Sequence, residues 1–129
     1  MKKKITIIIS ILIVFALIFL YFRMNEDTWI RDEKGIYVKQ GNPSTTPDYV
    51  LEQQRAIAQA QTFYSLAENG RVEFSSQCLG SFGDYAFDIV HSPRIPEDNL
   101  QENQCEEYKN GLVHHFIELD KDGNIVRVV

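Results

Sequence analysis

The sequence predicts an α+β fold: an N-terminal transmembrane helix, then one long helix packed on a four- to five-stranded antiparallel meander. Three observations carry this expectation. Residues 5–22 contain no charge, glycine or proline; residues 47–69 repeat apolar side chains at helical spacing; and after Gly70 the pattern switches to alternation punctuated by turn residues. With 129 residues there is room for one anchor and one domain of about 100 residues.

The first element is the clearest. Within residues 5–22 only Thr6 and Ser10 are polar. At about 1.5 Å per residue the segment spans roughly 27 Å, near the thickness of a hydrocarbon core. A helix in water needs a polar stripe, and this one has none. Lys2, Lys3 and Lys4 precede it, whereas Arg23 alone follows and is soon offset by Glu26 and Asp27. Lys and Arg accumulate on the cytoplasmic side, so residues 1–4 are expected to be a cytoplasmic tail and everything after residue 22 to lie outside. A cleaved signal peptide is the alternative. Cleavage needs small residues at the end of the apolar run, where Phe19, Leu20, Tyr21 and Phe22 stand instead, so an uncleaved signal anchor is expected.

Residues 23–47 read as an extracytoplasmic stalk. Thr28-Trp29-Ile30-Arg31 and Ile36-Tyr37-Val38-Lys39 are β-prone runs around Asp32-Glu33-Lys34-Gly35, and Gly35 supplies the positive φ that a small hairpin needs. A polar linker with Pro43 and Pro47 follows. The long helix then runs to Asn69, with Thr46 as expected N-cap, Pro47 at its first position and Gly70 as its left-handed terminator. Tyr49, Val50, Ile57, Ala60, Phe63, Tyr64 and Ala67 form its apolar face, and Gln54, Arg55, Gln61 and Glu68 the polar one. Strands are expected over 71–79, 85–91, 105–108, 112–119 and 125–129. Turns at 80–84, Lys109-Asn110-Gly111 and 120–124, and a long polar loop over 92–103, connect them. Residues 48–129 are therefore expected to form the α+β domain.

One helix followed by such strands resembles the cystatin-like architecture, and the ending Phe116-Ile117-Glu118-Leu119-Asp120-Lys121-Asp122-Gly123-Asn124-Ile125-Val126 resembles the terminal hairpin of PepSY-type domains. That resemblance implies a helix lying across one sheet face and a small extracytoplasmic domain. It implies no catalytic residue. The segment Thr28-Trp29-Ile30 to Gly41-Asn42-Pro43 also resembles the stalks of small membrane-tethered prokaryotic proteins.

After Arg23 the chain carries nine Lys and Arg against eighteen Asp and Glu, a net charge of −9. Such a domain is repelled by phosphate backbones, so nucleic acid is not an expected partner. The only cysteines, Cys78 and Cys105, both fall in the exported part and are expected to pair. Closing that loop restricts the unfolded chain by about 3–4 kcal/mol.

Catalytic and metal chemistry find little footing. His114 and His115 are adjacent, and on a strand they face opposite ways, so they are expected not to share a metal. Asp120, Asp122 and Asn124 imitate an EF-hand loop, but Ile125 stands where glycine is required and the chain ends before the closing carboxylate. Glu97, Asp98, Glu102, Glu106 and Glu107 read as a solvated acidic loop. Glutamates beside Cys105 make it a poor nucleophile. Glu73, Asp84 and Asp88 could supply an acid–base pair only if the fold brought them together. No catalytic, cofactor or metal residue is therefore assigned.

One feature points outward. A single helix covers one sheet face, yet the last strands look apolar on both: Val113, Ile117 and Leu119 on one side, Leu112 and Phe116 on the other. Leu112, Phe116, Val126 and Val128, with Trp29 and Tyr37 of the stalk, form the candidate interaction face. Its cover would be the stalk hairpin, a second copy in a homodimer, or an envelope protein or ligand. The expected role is a membrane-anchored, non-catalytic protein-interaction module. The alternatives are a small-ligand binder or enzyme with a pocket between helix and sheet, lined by Tyr49, Tyr64, Asp88 or His115, and a PepSY-like modulator of an envelope peptidase.

Overall fold

The computed structural model describes residues 2–24 and 27–129. Met1 of the expected cytoplasmic tail and residues 25–26 of the expected stalk lie outside the described residues. The chain forms two compact units, residues 1–30 with 38–46, and residues 31–37 with 47–129.

In the first unit, helix α1 (Lys2–Met24) is exposed on all sides and has a mean hydropathy of 3.0 over its most apolar 18 residues. It is long and apolar enough to cross a membrane. Strands β1 (Thr28–Arg31) and β2 (Tyr37–Gln40) pair as the expected hairpin. Trp29 Nε1 donates to Thr45 O at 3.0 Å, and the Lys39 ammonium sits 5.7 Å from the indole centroid.

The second unit is α+β, with helix α2 (Asp48–Asn69) against one face of a four-stranded sheet. Pro47 occupies the N-cap, one residue later than the capping pattern predicts. Gly70 remains right-handed at φ −74°, and Arg71 takes the left-handed conformation instead at φ 57°. Val50, Gln53, Ala56 and Ala60 are buried, and the polar residues expected on the opposite face are exposed. Ala56 and Ala60 bring α2 close to Phe87, Ile117 and Leu119, whose burial contributes about 1.5–3 kcal/mol each.

The sheet consists of β3 (Gln77–Phe82), β4 (Tyr85–Ile89), β5 (His115–Leu119) and β6 (Ile125–Val128), adjacent in that order. The strands are not a wholly antiparallel meander. Pairs β3–β4 and β5–β6 are antiparallel, but β4 and β5 are parallel, with Tyr85 opposite His115 and Ile89 opposite Leu119. The reason is the connection: residues 90–114 do not turn back beside β4 but cross the sheet before β5 begins, as parallel pairing requires. This crossover contains two 3₁₀ turns, Pro96–Asn99 and Gln101–Asn103, and the short helix α3 (Glu106–Lys109). The strand expected near Cys105 is therefore helical. Its first turn holds Glu106 and Glu107 and its last Lys109, charges that suit a helix dipole. Gly111, expected in a hairpin, ends α3, its N–H donating to Tyr108 O.

The crossover covers the second sheet face. Cys105, Val113 and Tyr108 pack there on Ala86 and Phe116. Val113 precedes β5, so it escapes the strand alternation and lies opposite Ile117. A bulge between β5 and β6 likewise overturns the alternation expected for Val128: Ile117 faces Val128 and Leu119 faces Ile125, so both β6 residues join the α2-side core.

The hairpin tip, residues 31–37, closes an edge of the sheet rather than its face. Asp32 Oδ1 accepts from Lys34 N and Ile36 N at 2.9 and 2.8 Å, shaping the turn. Lys34 O accepts from Val128 N at 2.7 Å, and Lys34 Nζ donates to Ile125 O at 2.8 Å. Gly35, at φ 83°, lies so close to Val128 O that a Cβ would sit 2.1 Å from it. The otherwise open edge of β6 is thereby occupied.

Candidate functional site

Among the described residues, buried charge concentrates between the crossover and the sheet. Asp88 on β4 and Glu118 on β5 are register partners in the parallel pair and point away from α2. Glu118 is buried and bound by two guanidinium groups. Arg94 from the crossover contacts its Oε1, and Arg127 from β6 donates through Nε and Nη2 at 3.1 and 3.0 Å. Arg127 also lies over the Phe116 ring, 5.1 Å from its centroid. Arg94 extends further to Asn99 Oδ1 at 2.9 Å. A buried carboxylate is tolerated here because both oxygens are paired.

Asp88 is less well served. Its Oδ1 accepts a 3.3 Å bond from Cys105 N. Burial pushes its carboxyl up to about 6; neighbouring Glu118 adds to the shift, and the Cys105 N–H and Arg94 oppose it. Asp88 and Glu118 line a cavity of about 110 Å³ together with Asp98, Asn103 and Tyr108. That volume suits a few water molecules. A carboxyl raised by burial beside a second carboxylate is one ingredient of an acid–base pair. The charged groups around them, however, are bound to one another, so the network fastens the crossover to the sheet.

The disulfide works in the same place. Cys78 on β3 is bonded to Cys105 at the start of α3, with Cα atoms 4.8 Å apart. Glu107 lies near both sulfurs, but a bonded pair offers no thiolate to a metal.

No protein-family model, curated protein or solved structure matches the chain. Its chemistry is therefore read from its own residues.

The six residues expected to form one interaction face are dispersed. Leu112 is 71% exposed after α3, Phe116 packs edge-on against Tyr108, and Val126 is half-buried at the bulge. Val128 is in the core at 4% exposure. Tyr37 packs on Tyr49, and Trp29 belongs to the first unit. The residues expected around a helix–sheet pocket are dispersed too: Tyr64 stacks on Phe74 and His115 on Tyr85, while Asp88 is on the opposite face. Glu73 is exposed, and Glu118 is the carboxylate that the fold sets beside Asp88.

His114 and His115 do converge, on a carboxylate. His114 precedes β5, and its Nδ1 is 2.8 Å from Asp84 Oδ1; His115 Nε2 is 3.7 Å from Asp84 Oδ2. Asp120 is spent within its turn, accepting from Asp122 N and Asn124 N at 2.9 Å each. Within the acidic loop Asp98 is not solvated at all. It is buried, and Oδ1 accepts from His91 N at 3.1 Å and contacts His91 Nδ1 at 2.9 Å, while Oδ2 accepts from Ile95 N at 2.8 Å. Burial alone would raise its pKa, but these bonds hold the carboxyl below its usual range. One signal in the sequence marks this: an aspartate two residues after proline in Ile95-Pro96-Glu97-Asp98 can reach back to cap its own turn.

Proposed function

We propose that the chain is a single-pass envelope protein. Its lysine-rich N-terminus stays in the cytoplasm, α1 crosses the membrane, and the α+β domain stands outside as a tethered, non-catalytic module that contacts another protein. The observation that carries this reading is the stretch 5–22 of α1, which is almost wholly apolar and exposed all round, a surface that fits lipid and not water. The Cys78–Cys105 pair supports the oxidising side, and Lys2 to Lys4 support the orientation. A non-catalytic role is supported by Glu118, the buried carboxylate beside Asp88, whose two oxygens are occupied by Arg94 and Arg127. Strand β3, the sheet edge opposite the one occupied by the hairpin tip, is the surface we assign to the partner. A PepSY-like modulator of an envelope peptidase is a narrower form of the same proposal, motivated by the β5–turn–β6 ending.

Two measurements test it. A Ser44→Cys variant labelled in intact cells by a membrane-impermeant maleimide should react without lysis; reaction only after lysis overturns the orientation. A photo-crosslinker at position 82, on β3, should trap a discrete adduct in native membranes. A chain that stays monomeric and alone there overturns the interaction role.

A further inference from the structure

A second cavity, of about 300 Å³, opens where the parallel strands β4 and β5 end, beside the first residues of the crossover and the β5–β6 turn. Sheets with parallel strands hold ligands beyond the carboxyl ends of those strands, and this volume is at the small end of ligand sites. The walls are mostly apolar, built by Phe74, Ile89, Val90, Pro93 and Ile95.

The charged groups at the cavity are already engaged. Asp120 holds its own turn, with Asn124 Nδ2 at 3.1 Å from Oδ2, and Lys121 Nζ is 3.1 Å from Asp122 Oδ1. Lys121 and Asp122 are paired and largely exposed and Asp120 is bound in its turn, so the apolar walls are the main source of attraction.

His91 differs. Its Nδ1 faces a buried aspartate that also takes two backbone N–H bonds and is therefore an acceptor only. In the neutral form of the ring the proton therefore sits on Nδ1, and Nε2 carries the lone pair. No described residue engages that nitrogen, and His91 lines the cavity. Asp98 acts as a positioning residue, fixing both the tautomer and the ring.

We infer that this cavity binds a small neutral molecule with an aromatic or short aliphatic body and one N–H or O–H group, which donates to His91 Nε2. The apolar walls supply the attraction, and the fixed lone pair selects molecules that carry a donor. A site that pairs a donor favours it over the analogue lacking it by the hydrogen bond that Nε2 accepts. This inference does not depend on the tethering or on the protein partner.

Indole and indene test it, being close in shape and differing in the N–H. The full chain in lipid nanodiscs is titrated by NMR, with the free probe concentration fixed by dialysis. Indole should perturb the amides of residues 89–95 and 120–122 saturably and bind at least ten-fold more tightly than indene. His91→Phe should reduce indole to the level of indene, His91→Gln should restore part of the preference, and Ser75→Trp should block both probes. Equal affinity for the two probes, a preference that survives His91→Phe, binding that survives Ser75→Trp, or a cavity that holds water only would each overturn the inference.

Discussion

Asp88 and Gln53 are the two residues whose cost and benefit are most exposed to measurement. The Asp88 carboxyl titrates near 6 in the folded state, above its ordinary value, so folding favours its protonated form. Its contribution to stability is complete below the ordinary carboxylate pKa and is lost as pH rises through about 6, at most about 2–3 kcal/mol. Asp88→Asn keeps an acceptor for Cys105 N and removes the titration. The variant should equal the parent near pH 4 and exceed it by about 1–3 kcal/mol at pH 8, read from urea midpoints; parallel pH profiles would refute the assignment. Gln53 is 1% exposed, and its amide spans two backbone groups of the hairpin tip, accepting from Tyr37 N at 2.8 Å and donating to Gly35 O at 3.0 Å. Gln53→Ala leaves both unpaired and should cost about 2–4 kcal/mol, with hydrogen exchange at the Tyr37 amide accelerating first. Neither role is legible from the sequence. Gln53 sits in a helix among other glutamines, and nothing local marks the one whose amide meets a distant turn. The pairing of Cys78 with Cys105 can be read, because two cysteines leave a single intramolecular pairing.

At the level of elements, the disulfide and the Arg94–Glu118 ion pair hold one object, the crossover of residues 90–114. Cys105 ties its far end to β3, and Arg94 ties its near end to β5. The double variant Cys78→Ser, Cys105→Ser should lose about 3–4 kcal/mol, measured by denaturant unfolding, and reductant should destabilise the parent but not the variant. If reductant leaves the parent unchanged, the bond does not form in solution. Helix α2 was the soluble element most open to sequence reading, since its spacing alone specifies a buried stripe. Its ends were read less well. Capping depends on single residues, and at the C-terminus Arg71 rather than Gly70 took the left-handed position. The segment 105–113 misled for a related reason: a Lys-Asn-Gly turn closes a hairpin or ends a short helix equally well, and only the packing of Cys105 and Val113 on Ala86 selects the helix.

For the molecule as a whole, the division of labour is between an apolar rod and an acidic domain. On the proposed membrane-spanning role of α1, a charge at its middle should weaken insertion: Phe15→Arg adds about 2.5–3.5 kcal/mol, and the share of protein resisting alkaline carbonate extraction should fall. Unchanged extraction would mean that residues 5–22 do not hold the chain in the bilayer. What the sequence determined by itself is whatever can be summed along the chain. Hydropathy marks α1, periodicity marks α2, alternation marks strands, and a single pair of cysteines leaves one pairing. What only the tertiary structure decided is the direction of β5, the cover over the second sheet face, and the meeting of Asp88, Glu118, Arg94 and Arg127. Those depend on which way residues 90–114 travel, and a loop's route is set by the contacts it makes at its far end, which its own composition does not encode.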